Sequence, residues 1–190
     1  DSNITVLLPL AENAIDSNSI HTGDVITGYK KKSVEINNTD AEGRLILADA
    51  LAYADEQKPE LIIDLATLTG AALIALGSKI TAGFFTDETV RDEMLKSAKE
   101  TGEGLWELPL ADDYRSYLKS DIADLSNISS PPREAGTITA ALFLQSFVEN
   151  SKWVHLDIAG PAFLDGNWNA YPAGATGAML KTIINYFENK

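Results

Sequence analysis

Leu61-Ile62-Ile63-Asp64-Leu65, running on into Ala66-Thr67-Leu68-Thr69-Gly70, is the stretch on which the reading of the fold turns. A nearly unbroken apolar run, opened after Lys58-Pro59 and closed by small hydroxylated residues, is too short for a helix and has the pattern of a strand buried on both faces. Strands of that kind belong to parallel sheets. A second interior strand stands at Trp153-Val154-His155-Leu156-Asp157-Ile158. Around these two, apolar spacing and cap residues predict a helix from Arg44 to about Lys58, a short helix over Gly70 to Leu76 and a strand over Ile80 to Phe85. An Asp87-capped helix follows through Lys99, stopping at Thr101-Gly102. Tyr114 to Leu118 reads as helical, Ser126 to Gly136 as a loop with two prolines, and Thr137 to Val148 as a packed helix. After a loop from Gly160 to Gly174, a last helix spans about Gly177 to Phe187. Strands alternating with helices give an open α/β sheet covered on both faces, with functional loops at the strand ends. Upstream, Gly23 to Ile36 reads as a hairpin. Ile4 to Leu8 reads as a core strand, and a chain that opens on one carries the expectation of further sequence before it.

Composition narrows the function classes. The 190 residues are 45% hydrophobic and 23% charged, the balance of a globular chain with a sizeable core. A net charge of −13 repels phosphate backbones and anionic lipid, so sequence-independent nucleic-acid binding and membrane attachment would need a local basic patch. The only basic run, Lys30-Lys31-Lys32, falls in the expected hairpin turn and reads as a solvated loop. No cysteine is present, which excludes disulfides, thiolate metal sites and cysteine nucleophiles. The longest apolar runs fall far short of the ~20 residues of a membrane span. Asp1-Ser2-Asn3 carries none of the positive charge of a secretory leader.

The chemistry concentrates in Asn37-Asn38-Thr39-Asp40-Ala41-Glu42-Gly43-Arg44-Leu45, between a strand and a helix. If that segment is extended, residues two apart point the same way, and Asp40 and Glu42 present two carboxylates to one place. Paired hard oxygens suit divalent cations, including two ions ~3.5–4 Å apart acting on one substrate. Arg44 adds a fixed cation able to hold an oxyanion. The structural alternative makes Asp40 a helix cap and Glu42 a first-turn acid facing the dipole. Past the first buried strand, Thr67 to Gly70 lies where open α/β sheets collect ligands, or forms an ordinary strand-to-helix turn capped by Thr69. His155 and Asp157 alternate on one strand face, a spacing that zinc hydrolases use and that also suits a satisfied core histidine. No Gly-x-Ser-x-Gly elbow and no Gly-x-x-x-x-Gly-Lys phosphate loop occurs.

Asn38-Thr39-Asp40-Ala41-Glu42-Gly43-Arg44-Leu45 resembles the hallmark octapeptide of the leucyl (cytosol) aminopeptidases, peptidase family M17. The segments Asp64 to Ala71, Ile74 to Gly77, Trp106 to Leu110 and Trp153 to Gly160 resemble the same family in order, so the likeness covers essentially the whole chain. It implies a three-layer α/β/α sandwich on a mixed, mostly parallel central sheet, residues 1–190 forming the C-terminal portion of that catalytic domain. It further implies two divalent metal ions, Mn²⁺ or Zn²⁺ with Mg²⁺ as an alternative, and release of N-terminal residues from peptides. By resemblance, Asp40 matches a metal ligand, Glu42 the carboxylate bridging two metals, and Arg44 the residue holding a bicarbonate general base. Leu68 matches a residue whose backbone carbonyl helps bind substrate, while Thr67, Gly70, Ala159 and Ala162 fall where the family shapes its substrate pocket. The family's upstream Lys- and Asp-bearing segment is absent from these residues, so the resemblance implies a chain inactive by itself. A homohexamer and a cytoplasmic location are implied as well. A non-catalytic interaction or scaffold module keeping the octapeptide is the competing reading, and a Mg²⁺-dependent phosphoryl-transfer enzyme using Asp40 and Glu42 a third.

Overall fold

The structure is a computed structural model describing residues 3–169 and 171–190. Asp1 and Ser2 of the opening stretch and Ala170 of the Gly160–Gly174 loop lie outside the described residues. In chain order the elements are β1 (Val25–Thr27), β2 (Ser33–Glu35), α1 (Gly43–Glu56), β3 (Leu61–Ala66), α2 (Gly70–Leu76), β4 (Ile80–Phe85), α3 (Glu88–Thr101) and β5 (Gly104–Glu107). They continue with β6 (Leu125–Ser126), α4 (Gly136–Gln145), β7 (Lys152–Asp157), β8 (Phe163–Leu164), β9 (Gly174–Ala175) and α5 (Leu180–Glu188). The chain divides into two compact units, Asn3–Ile62 with Ala111–Ser151 and Ile63–Leu110 with Lys152–Lys190.

The first unit carries the hairpin. β1 and β2 pair antiparallel with Ile26 opposite Val34, and β6 adds to β2 in parallel with Val34 opposite Leu125. Lys31 takes a left-handed φ of +64° in the turn, as the hairpin geometry requires. The lysine turn is not the solvated loop expected: Lys30 lies 3.1 Å from Glu149 and 3.6 Å from the buried Asp55, and Lys32 donates to the Ser146 carbonyl. These cations are neutralised within the unit, which leaves no basic patch there. α4 is apolar on all sides because it is covered on all sides, with Ala140 to Leu144 at 0% exposure. It packs on α1, which buries Ala48, Leu51 and Ala52.

The second unit holds a four-stranded sheet in the order β3-β7-β4-β5. β5 runs parallel to β4, with Ala82 opposite Trp106, and β7 runs antiparallel to it, with Ala82 opposite Asp157. The sheet is therefore mixed, and the α/β class stands. Both faces of β7 are covered, since Trp153 through Asp157 are all buried. α3 opens with Asp87 accepting from the Val90 amide at 3.0 Å, closes on Gly102 at φ +74°, buries Val90, Met94 and Ala98, and packs on α5.

Several expectations change. β3 is an edge strand whose burial alternates, with Ile62 and Asp64 inside and Leu65 38% exposed, so one face rather than both is fully covered. Ile4 to Leu8 forms no strand: among the described residues nothing pairs with it, and Val6 and Leu8 are 74% and 78% exposed. Without a ladder partner its backbone has no reason to be a strand. The Gly160–Gly174 loop conceals a small hairpin of β8 and β9, with Phe163 opposite Ala175.

Asp55 shows what closes the first unit. At 1% exposure its carboxylate accepts from the amides of Glu149 (3.0 Å), Asn150 (2.9 Å) and Ser151 (3.0 Å) and from Asn150 Nδ2 (2.9 Å). Burial alone pushes its pKa up, but the hydrogen bonds from Glu149, Asn150 and Ser151 outweigh it and hold the carboxyl below the usual range. A depressed folded pKa contributes stability that is present above the unfolded value of about 3.9 and is lost as pH falls through the folded one. Asp55→Ala, which strands those donors, is expected to cost about 3 kcal/mol at pH 7. In urea titrations the gap between wild type and variant should narrow below about pH 4.

Candidate functional site

The octapeptide is held by a residue that sequence reasoning missed. Asn127, at 0% exposure, accepts from the amides of Asn37 (2.8 Å) and Asn38 (3.3 Å) and returns its Nδ2 to the Asn38 carbonyl at 2.7 Å. The side-chain amide thus extends the β2–β6 pairing by mimicking a strand. Asn38 in turn accepts from the Asp40 amide at 3.0 Å and caps a 3-10 turn over Thr39–Ala41. Glu42 follows at φ −73°, ψ −34°, and Gly43 opens α1.

This geometry overturns the extended-segment argument. With about three residues per turn, positions two apart in a 3-10 turn lie roughly 120° apart around the axis, so strand alternation does not bring Asp40 and Glu42 to one side. The structural alternative holds only in part: Asn38 rather than Asp40 caps the 3-10 turn, and Glu42 stands at the α1 N-cap, by the positive end of the helix dipole but with no side-chain hydrogen bond. Among the described residues, neither carboxylate has a hydrogen-bond or ion-pair partner. Asp40 is exposed, while Glu42 and Arg44 are half-buried, Arg44 in the first turn of α1.

The remaining candidates belong to the second unit. Thr67 is exposed, Leu68 half-buried, and Gly70 exposed at the start of α2; Ala159 and Ala162 are half-buried. Thr69 caps α2 as expected, accepting from the Ala72 amide at 3.1 Å, and also donates to Asp157 Oδ2 at 2.7 Å. Asp157 Oδ1 accepts from the amides of Leu68 (3.1 Å), Thr69 (3.4 Å) and Ala159 (3.2 Å). Gly160 admits a close backbone approach beside them, since a Cβ there would stand 2.3 Å from the Gly77 carbonyl. The structure therefore brings together the Thr67–Gly70 turn and the Ala159 turn.

His155 and Asp157 do share a strand face, but each is committed elsewhere. His155 Nδ1 lies 2.6 Å from Asp64 Oδ1, and Asp64 Oδ2 accepts from Trp153 Nε1 at 2.7 Å. The imidazole stacks between Phe84 and Trp153 at centroid distances of 5.8 and 6.0 Å and has 0% exposure. The core-histidine reading describes it; the zinc reading does not. Asp157 had a signal in the sequence, because a carboxylate ending an apolar strand needs donors, and loop amides are the ones at hand.

The chain's donors do not by themselves make a metal site. Asp40 and Glu42 offer hard carboxylate oxygens, but divalent cations such as Ca²⁺ or Mg²⁺ take about six or more ligand atoms. Among the described residues no group of three or more His, Cys, Asp or Glu side chains is placed to hold an ion. Among the described residues no helix is long and apolar enough to cross a membrane.

Comparison with known proteins agrees with the octapeptide. Residues 1–184 match the model of the cytosol aminopeptidase family, catalytic domain. A probable cytosol aminopeptidase of Prochlorococcus marinus subsp. pastoris is 50% identical over 189 residues, covering 98% of this chain and 38% of that protein. One from Synechococcus sp. is 46% identical over 186 residues, again covering 98% of this chain and 38% of the relative. The chain thus spans about two-fifths of the length of these relatives. Among solved structures, the cytosol aminopeptidase of Coxiella burnetii superposes with a TM-score of 0.88 at 46% identity, over 94% of this chain and 39% of the other. The bottromycin maturation enzyme BotP in complex with Mn gives 0.89 at 40% identity, over 95% and 40%. The family is metal-dependent, and its sequence pattern, its fold and the octapeptide agree here: this chain belongs to the cytosol aminopeptidase family, whose catalytic-domain model it matches.

Proposed function

We propose that this chain contributes the C-terminal portion of the catalytic domain of a metal-dependent aminopeptidase that releases N-terminal residues, leucine among them, from peptides. The observation that carries the reading is the octapeptide at the mouth of α1, where Asp40 and Glu42 stand without protein partners in a chain of this family. Asp40 and Glu42 are proposed as ligands of divalent metal, Mn²⁺ or Zn²⁺ with Mg²⁺ as an alternative, and Arg44 as the holder of a bicarbonate anion through its guanidinium fork. Thr67, Leu68, Gly70, Ala159 and Ala162 are proposed to shape the substrate pocket, small side chains leaving room and the Leu68 carbonyl offering an acceptor. A cytoplasmic homohexamer is part of the same proposal.

Because two carboxylates cannot complete a cation's shell, the proposal assigns no activity to the chain alone. The purified 190 residues are expected to bind Mn²⁺ no tighter than millimolar in calorimetry and to leave leucyl amide intact. Adding the upstream Lys- and Asp-bearing segment that this reading requires should confer both, with a hexamer in sedimentation. Robust hydrolysis by the chain alone would overturn the ligand assignment, and a completed protein without hydrolysis would favour a scaffold.

In the completed enzyme, Glu42→Ala is expected to lower leucyl-amide hydrolysis by more than about 100-fold together with metal content, as loss of a primary electrostatic partner does. Arg44→Ala should cost about 10-fold with metal retained, the scale of an outer-shell loss. Equal, mild losses in both variants would remove Glu42 from the ligand set.

A further inference from the structure

We propose that Asp157 is the positioning residue of the substrate pocket, clamping the two loops that contact substrate and orienting the Leu68 carbonyl. The inference rests on the pocket assignment made above. At 0% exposure the Asp157 carboxylate meets neither solvent nor substrate, so its influence passes through the groups it holds. Oδ1 gathers the amides of Leu68 and Thr69 from the turn after β3 and the amide of Ala159 from the turn after β7. Hydrogen bonds to an ionised acceptor are about twice as strong as neutral ones. One anion therefore sets the spacing of two loops that are distant in sequence.

The orientation follows from peptide geometry. The Leu68 carbonyl and the Thr69 N–H belong to one planar trans peptide and point in opposite directions. With the Thr69 N–H turned inward to Asp157, the Leu68 carbonyl is turned away from it, toward the open side of the turn. The Leu68 N–H, held by the same oxygen, blocks rotation of the neighbouring peptide. Oδ2 completes the clamp through Thr69 Oγ1, which also accepts from the Ala72 amide and so ties the first turn of α2 to the same carboxylate.

Two measurements test the clamp. In the 190-residue chain, Asp157→Asn is expected to speed hydrogen exchange at the Leu68, Thr69 and Ala159 amides by about 10-fold, leaving Phe84 and His155 in the β4–β7 ladder unchanged. Unchanged exchange at the three amides, or equal loss along the ladder, would overturn the proposal. In the completed enzyme, wild-type hydrolysis of leucyl amide tests the aminopeptidase reading itself. Given that activity, Asp157→Asn should raise KM by about 10-fold, whereas simple loss of folded enzyme lowers kcat and leaves KM alone. An unchanged KM overturns the positioning role without touching the aminopeptidase reading. Should Asp157→Asn not fold, Thr69→Val, which removes the Oδ2 arm together with the α2 cap, should raise KM about 3-fold, and Thr69→Ser, which keeps the hydroxyl for both bonds, should restore it; a KM rise that serine does not reverse overturns the clamp.

Discussion

A carboxylate leaves water only if other donors replace the water, and in this chain that requirement decides where the loops go. Asp55, Asp64 and Asp157 are 1%, 7% and 0% exposed, and each is surrounded by N–H or O–H groups. Asp55 gathers the segment after α4, Asp64 joins β3 to the two largest side chains of its face of β7, and Asp157 joins the turns that follow β3 and β7. All of these bonds except that from the Ala159 amide to Asp157 run between residues about ninety apart in sequence. An apolar core would tolerate small shifts of such loops; a buried anion with a fixed set of donors does not, because any donor lost leaves charge unsolvated.

Asp64 on β3 and Asp157 on β7 are satisfied on the same side of the sheet in different ways. Trp153, His155 and Asp157 all project from one face of β7, and the first two meet Asp64 while the third reaches past β3 to the Thr69 hydroxyl. The face is polar in its bonding but buried in its area, which is why it reads as apolar strand and as metal-ligand spacing at once. Stacking of His155 between Phe84 and Trp153 holds the imidazole where its Nδ1 meets Asp64. The same residues that would suggest a zinc site are thereby consumed by the fold.

Local features were legible in the sequence and long-range ones were not. The helix caps Asp87 and Thr69, the Gly102 stop and the central strands obey short-range rules and appear where those rules put them. The conformation of Thr39 to Glu42 does not follow from such rules, because it depends on Asn127, nearly ninety residues away, fastening Asn37 and Asn38 to the two-residue strand β6. No periodicity marks a strand that short. Ile4 to Leu8 failed for the converse reason: a strand-like composition states a preference, and pairing requires a partner that the described residues do not offer. The octapeptide was legible as a motif, although the argument from extended spacing that accompanied it was wrong.

Asp40 and Glu42 differ from these buried acids in how they are solvated. Asp40 is exposed and Glu42 half-buried, so water supplies what the fold supplies to the three buried carboxylates, and Glu42 stands at a helix N-cap without the side-chain bond that Ser, Thr, Asp or Asn makes there. Glu42 makes no such bond, and α1 begins without a side-chain cap. Two unpartnered acids at one turn of a chain with net charge −13 also repel each other and their surroundings. The positive end of the α1 dipole offsets part of that repulsion at Glu42. The turn leaves two carboxylates without protein donors, the oxygen chemistry that a divalent cation takes under the function proposed above.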